Sequence, residues 1–201
     1  MSILDLNGII KYLDELDSCR EKLIKMSRDI IRYSKKLIHN IQQEEYDASR
    51  RLLENMMILK KDFMRIASKN SRLYHSNLVY DALTEYVESY TVYSIVLEER
   101  IPSFRDLEVE PIPYLLGLLE AMGELRRLAL EYVRRGNLNR ADKLLDFMEH
   151  VYMELSILNY PDSILPGFRR KCDLVRRMID DTKNIIVFAR GCENVRKLLK
   201  G

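Results

Sequence analysis

The sequence predicts an all-α protein: a bundle of six or seven long helices forming one domain over residues 1–201. Three observations carry this. Apolar residues recur at steps of three and four along nearly the whole chain, which is the period of an amphipathic helix. Glycine and proline number 7 and 5, so few breakers interrupt those stripes. No stretch shows the strict apolar–polar alternation of a half-buried strand.

The elements follow in order. Residues 3–42 read as one very long helix, with Leu23, Met26, Ile30, Tyr33, Leu37 and Ile41 on one stripe. Residues 44–69 form a second, with Leu53, Met56, Leu59, Phe63 and Ile66. A third runs from about Ser76 to Arg100. The segment IPSFRDLEVEPIP, with three prolines, is a loop. Pro113 suits the first turn of the fourth helix, where its missing N–H costs nothing. That helix closes at RRGN, where Gly136 follows basic residues, as helix C-termini favour. A fifth helix covers roughly 138–158 and ends at NYPDSILPG. A sixth runs from about Phe168 to Leu199. The fifth is apolar on more than one face, through Leu144, Phe147, Met148 and Val151 together with Leu145 and Tyr152. That excess predicts a closed homo-oligomer.

Composition narrows the class. Hydrophobic residues make up 47% and charged residues 32%, an ordinary globular balance rich in ion pairs. No apolar run approaches the roughly 18–20 residues of a membrane span, so no membrane partner is expected. MSILDLNGII lacks the pattern of a signal peptide. Cys19, Cys172 and Cys192 are scattered, without a CxxC, and suggest reduced thiols in a cytoplasmic protein. There is no P-loop and no serine or cysteine nucleophile signature. His39, His75 and His150 show no HxxxH or ExxH spacing, which counts against zinc and di-iron centres.

Net charge is only +2, but its distribution is uneven. Residues 20–36 carry seven Lys and Arg, and residues 169–177 carry five. Residues 81–99 and 106–125 each carry five acids and no base. Within these acidic blocks lie two close pairs. Glu120 and Glu124 are four apart inside YLLGLLEAMGEL, and Glu85 and Glu88 are three apart inside TEYVESY. Either spacing puts both carboxylates on one helix face, where like charges repel. One reading is a pair of solvated helix edges, with Arg127 pairing Glu124. The other is that the two helices are antiparallel neighbours and four carboxylates converge. Four such groups need a divalent cation, and hard oxygen donors suit Mg²⁺ or Mn²⁺. Clusters of that kind serve phosphoryl chemistry. The first helix presents Lys25, Arg28, Arg32, Lys35, Lys36 and His39 opposite its apolar stripe. This is an ordinary solvated face or a track for phosphates.

The motifs EYVE (85–88), PYLLGLLEAMGELRRL (113–128) and RRGN resemble the translin family, most closely its translin-associated factor X branch. KMSRDI with SKK is similar to that family's first helix. RRKCDLVRRMIDDTKNIIVFARG is similar to its last long helix. The resemblance covers nearly the whole chain. It implies a hollow octameric shell holding RNA, single- or double-stranded, and a metal-dependent endoribonuclease. Its catalytic, metal-binding carboxylates would be Glu85, Glu88, Glu120 and Glu124. Where that branch has an aspartate, this chain has Glu120. With no partner subunit in view, the shell would be a homo-octamer. RNA phosphates would be gripped by Arg28, Arg32, Lys35, Lys36 and His39. The alternative expectation is a non-catalytic RNA- or DNA-binding scaffold in which the glutamates are structural.

Overall fold

The computed structural model describes residues 5–199, so residues 3 and 4 of the first predicted helix lie outside the described residues. Among the described residues there are seven helices and no strand: α1 Leu6–Gln42, α2 Tyr46–Ala67, α3 Ser71–Tyr74, α4 Asn77–Glu98, α5 Pro111–Arg134, α6 Leu138–Ser156 and α7 Phe168–Leu198. The all-α expectation holds.

Local chemistry sets most boundaries. Asp5 caps α1 by accepting a hydrogen bond from the Gly8 N–H at 3.0 Å. Glu44 takes a left-handed conformation, φ 60°, and turns the chain back into α2. Asn70 caps the single turn of α3, an element absent from the periodicity because one turn shows no period. Asn137 caps α6 immediately after Gly136, whose φ of 75° ends α5 as the RRGN reading expected. α5 begins at Pro111, so Pro113 lies in its first turn as expected, and both prolines fit there because neither N–H would have a partner.

The helices form two groups joined at one seam. α1, α2 and α4 pack together, α5, α6 and α7 pack together, and α4 lies against α5 between them. Leu23, Ile30, Leu37 and Ile41 are the core stripe of α1. α4 is buried on most of its circumference, through Val79, Leu83, Tyr86, Val87, Val92 and Ile95. The α4–α5 loop is anchored from beneath. Lys60 is buried on α2, donates to the Glu108 carbonyl at 2.9 Å, and lies 3.6 Å from its carboxylate. Burial lowers the pKa of Lys60, and Glu108 opposes that.

The seam is close because Gly117 sits in it. A Cβ at that position would lie 2.6 Å from Val87 Cβ and 2.7 Å from the Thr84 carbonyl oxygen. Only a residue without a side chain lets the two backbones approach so near. Thr84 and Val87 adjoin Glu85 and Glu88, and Gly117 lies one turn before Glu120. The crossing therefore falls where the acidic pairs are.

The source of exposed apolar surface is a correction. Leu144, Leu145, Met148 and Val151 of α6 are buried, and Phe147 and Tyr152 are partly covered, because α5 and α7 flank this helix on two sides. Exposed apolar residues collect instead near the start of α1, at Leu6, Ile9, Ile10 and Leu13, toward the end of α7, at Val187, Phe188, Val195 and Leu198, and from the last turn of α6 into the next loop, at Met153, Ile157 and Ile164.

Candidate carboxylate site at the helix seam

The four glutamates come together. Glu85 and Glu88 project from α4, and Glu120 and Glu124 from α5, each partly buried. Glu88 is the most enclosed. Its pKa is pushed up to about 8, first by burial and then by Glu85, Glu120 and Glu124, with Lys171 opposing. Glu85 is also raised by burial. Lys35 pulls it down, and Glu120 and Asp81 push it further up. The expectation that both helices turn their acids to one place is met, since each pair feels the other's charge.

The two pairs differ in what answers them. Lys171 of α7 makes a tight ion pair with Glu120, Nζ to Oε1 at 2.5 Å. Glu124 accepts a hydrogen bond from Gln42 Nε2 at the end of α1, at 2.9 Å. Arg127 bonds the other side of the Gln42 amide and lies 3.6 Å from Glu124. Pairing of Arg127 with Glu124 is therefore present, though long. For Glu85 and Glu88 the neighbours act through burial and charge alone, with no hydrogen bond among the causes.

Glu88, Glu120 and Lys171 line a cleft of about 260 Å³ with Gly123, Val175 and Met178. A larger cleft of about 440 Å³ lies elsewhere, lined by Tyr46, Arg50, Tyr132, Arg140 and Lys143. Two of its cations are already paired, Arg140 with Glu44 at 3.6 Å and Lys143 with Glu99 at 2.7 Å. The smaller cleft is the one that gathers unanswered charge.

The donor set suits a hard divalent cation: carboxylate oxygens only, in excess of the local positive charge. Among the described residues, no three His, Cys, Asp or Glu side chains are yet arranged to hold one ion. The chemistry of the residues fits such a cation.

The basic face of α1 is exposed as expected, but its members have different surroundings. Lys35 lies toward the seam, near enough to Glu85 to lower its pKa. Lys36 lines a shallow groove between α1 and α2 with Asn40, Glu45 and Arg51. Arg32 pairs with Asp29 at 2.8 Å and lies over the Tyr33 ring. Arg28 and His39 are exposed between those two edges.

Sequence reasoning missed Gln42 and Lys171. Gln42 follows Lys35 by seven residues and so shares its side of α1. Lys171 belongs to a basic run already visible, but it borders the Phe168, Cys172, Val175 stripe on one flank while Arg176 borders it on the other. Only the helix crossing shows which flank meets the acids.

A helical bundle with a four-carboxylate seam between its two central helices defines the class of protein. The chain belongs to the Translin family, whose model matches residues 18–185. It is 30% identical over 184 residues to an uncharacterized protein of Methanocaldococcus jannaschii, covering 91% of this chain and 82% of that protein. Among solved structures it is similar to AfC3PO in complex with duplex RNA, with a TM-score of 0.86, 30% identity, and coverage of 94% of this chain and 98% of that one. It is also similar to apo-NeC3PO, with a TM-score of 0.85, 27% identity, and coverage of 94% and 100%. These matches establish the family and the fold.

Proposed function

We propose that this protein is a Mg²⁺- or Mn²⁺-dependent endoribonuclease of the catalytic, factor X-like branch, which binds RNA inside a homo-oligomeric helical shell. The observation that carries the reading is the convergence of Glu85, Glu88, Glu120 and Glu124, with Glu88 buried and short of positive charge. The similar AfC3PO structure with duplex RNA supports RNA as the ligand.

A bound divalent cation, held by carboxylates of this cluster, would supply a Lewis acid and a source of activated water. This chain's own residues do the rest. Lys35 stands beside the carboxylates and Arg28 beside it on α1, placed to hold backbone phosphates leading to the cleft. Without a cation, burial and the three neighbouring glutamates push the Glu88 carboxyl up to about 8, which is the charge deficit a divalent ion would relieve. Val175 and Met178 give the cleft an apolar wall on the α7 side.

The assembly reading rests on the exposed residues of α1 and α7, among them Phe188 at 75% and Ile10 at 54% exposure. Surfaces of this kind are usually covered by a partner. The family resemblance supports eight copies. Among the described residues, no helix is long and apolar enough to cross a membrane. The three free cysteines fit the reducing setting of a cytoplasm.

The non-catalytic scaffold keeps one observation in its favour: Glu120 is already neutralised by Lys171. Incubating purified protein with labelled RNA in Mn²⁺ or in EDTA separates the two readings. Cleavage in Mn²⁺ alone supports the nuclease, whereas binding without cleavage in both supports the scaffold. A scattering mass of one 23.8 kDa chain at micromolar concentration would remove the shell.

A further inference from the structure

We propose that Lys171 is the resident counter-ion of the carboxylate seam, an ammonium that holds Glu120 in the metal-free protein and yields it when a divalent cation binds. This rests on the metal-dependent reading above, and it says how the cluster tolerates its own charge without metal.

Three observations support it. The Lys171–Glu120 pair joins α7 to α5 across the cleft, so it is a tertiary contact and not a helix-surface pair. Both side chains are two-thirds covered, each 33% exposed, which shields the interaction from bulk solvent. Among the described residues, Lys171 is also the cation bonded directly inside the cleft that Glu88 and Glu120 line. Glu124 is held chiefly by the neutral amide of Gln42, and Arg127 stands farther off at 3.6 Å.

An ammonium at Glu120 competes with a divalent cation for the same carboxylate, because the two positive charges repel in a partly desolvated cleft. On this proposal metal loading draws Glu120 away from Lys171. Its stem lies along α7 beside Leu174, Val175 and Met178, and its four carbons let the head swing without moving the helix. The released ammonium stays at the cleft wall, where a phosphate of the substrate can take it. The cost of this exchange is built into the metal affinity of the wild-type chain.

The test is a Mn²⁺ titration of the full chain, following the EPR signal of free Mn²⁺. Lys171→Met and Lys171→Gln remove the competitor and are expected to bind Mn²⁺ about tenfold tighter than wild type. Lys171→Arg keeps the charge and should bind as wild type does. Glu120→Gln should bind more weakly. In thermal melts, Lys171→Met should lose stability in EDTA and regain more than wild type when Mn²⁺ is added. Unchanged or weaker Mn²⁺ affinity in both neutral variants would overturn the inference and make Lys171 a purely structural strut. Tighter binding by Lys171→Arg would also overturn it, since charge would not be the cause. If no chain binds Mn²⁺, the metal reading itself falls, and this inference with it.

Discussion

Two glutamate pairs meet at the α4–α5 seam, carried by helices of 22 and 24 residues that are both largely apolar. They are spaced three and four residues apart on their helices and face the same place. Their electrostatic surroundings differ. The α5 pair is met by Lys171, Gln42 and, at longer range, Arg127. The α4 pair has burial and like charge around it, with Lys35 and Lys171 acting only at a distance. The difference teaches where the site stores its tension. A carboxylate that is paired can stay ionised, whereas one that is buried among other carboxylates must take up a proton or a cation. On this view the α5 pair keeps the fold tolerable without metal, and the α4 pair supplies the demand for one.

The strongest way to break the comparison is to neutralise each pair separately. Under the proposed mechanism, Glu88→Gln and Glu124→Gln should both lower RNA cleavage by about a hundredfold or more, close to 3 kcal/mol of barrier. Metal-free stability should separate Glu88 from Glu120. Glu88→Gln removes repulsion and should be neutral or stabilising, while Glu120→Gln breaks the Lys171 ion pair and should destabilise. Equal stability changes at the two positions would show that the pairs do not differ as described. Cleavage at wild-type rates in a Glu120→Gln, Glu124→Gln double variant would remove the catalytic role.

A second test acts on the crossing and leaves the charges alone. Gly117→Ala must push Val87 and the Thr84 carbonyl away from the new methyl group. The expected cost is about 2–3 kcal/mol of stability, read as a lower denaturation midpoint. Because the same crossing sets how near the two pairs lie, Mn²⁺ affinity should fall as well. An alanine that cost nothing would mean the seam is looser than its contacts indicate.

The pH dependence sharpens the comparison further. Below the ordinary value of 4.5, the Glu88 carboxyl is protonated in folded and unfolded chains alike. As pH rises, the unfolded chain gives up this proton while the folded one keeps it until about 8. Metal-free stability should therefore decline from about pH 5 to about pH 8 and then level. Glu88→Gln should flatten that decline when denaturation is followed in EDTA. An undiminished slope in that variant would place the titration elsewhere.

The smallest expected effect concerns the α1 face. Arg28→Ala and Lys35→Ala should each weaken RNA binding by about 1 kcal/mol and lower the salt slope by roughly one. Base preference should hold, because phosphate contacts position the strand without reading it. Lys35→Ala should additionally raise the pKa of Glu85, since Lys35 holds it down. Binding curves matching wild type across a salt series would show that this face is only solvated.

Much of this was legible in the chain itself. The helical period is a local property, so α1, α2, α4, α5, α6 and α7 could be placed to within a few residues. The one-turn α3 is not legible there, since a single turn leaves no periodic trace. That Glu85 shares a face with Glu88, and Glu120 with Glu124, also follows from spacing alone, because three or four residues nearly complete a helical turn. So does the basic face of α1. Tertiary structure decided the rest. It chose which flank of α7 meets α5, and so made Lys171 rather than Arg176 the partner of Glu120. It brought Gln42 to Glu124 across 82 positions of sequence. It covered α6, which looked too apolar for one bundle, and left the ends of α1 and α7 bare. The reason is the same in each case: a sequence specifies which residues share a helix face, but the distance and angle at which two helices cross depend on the small contacts between them. Here the missing side chain of Gly117 lets the acidic faces of α4 and α5 close into one site.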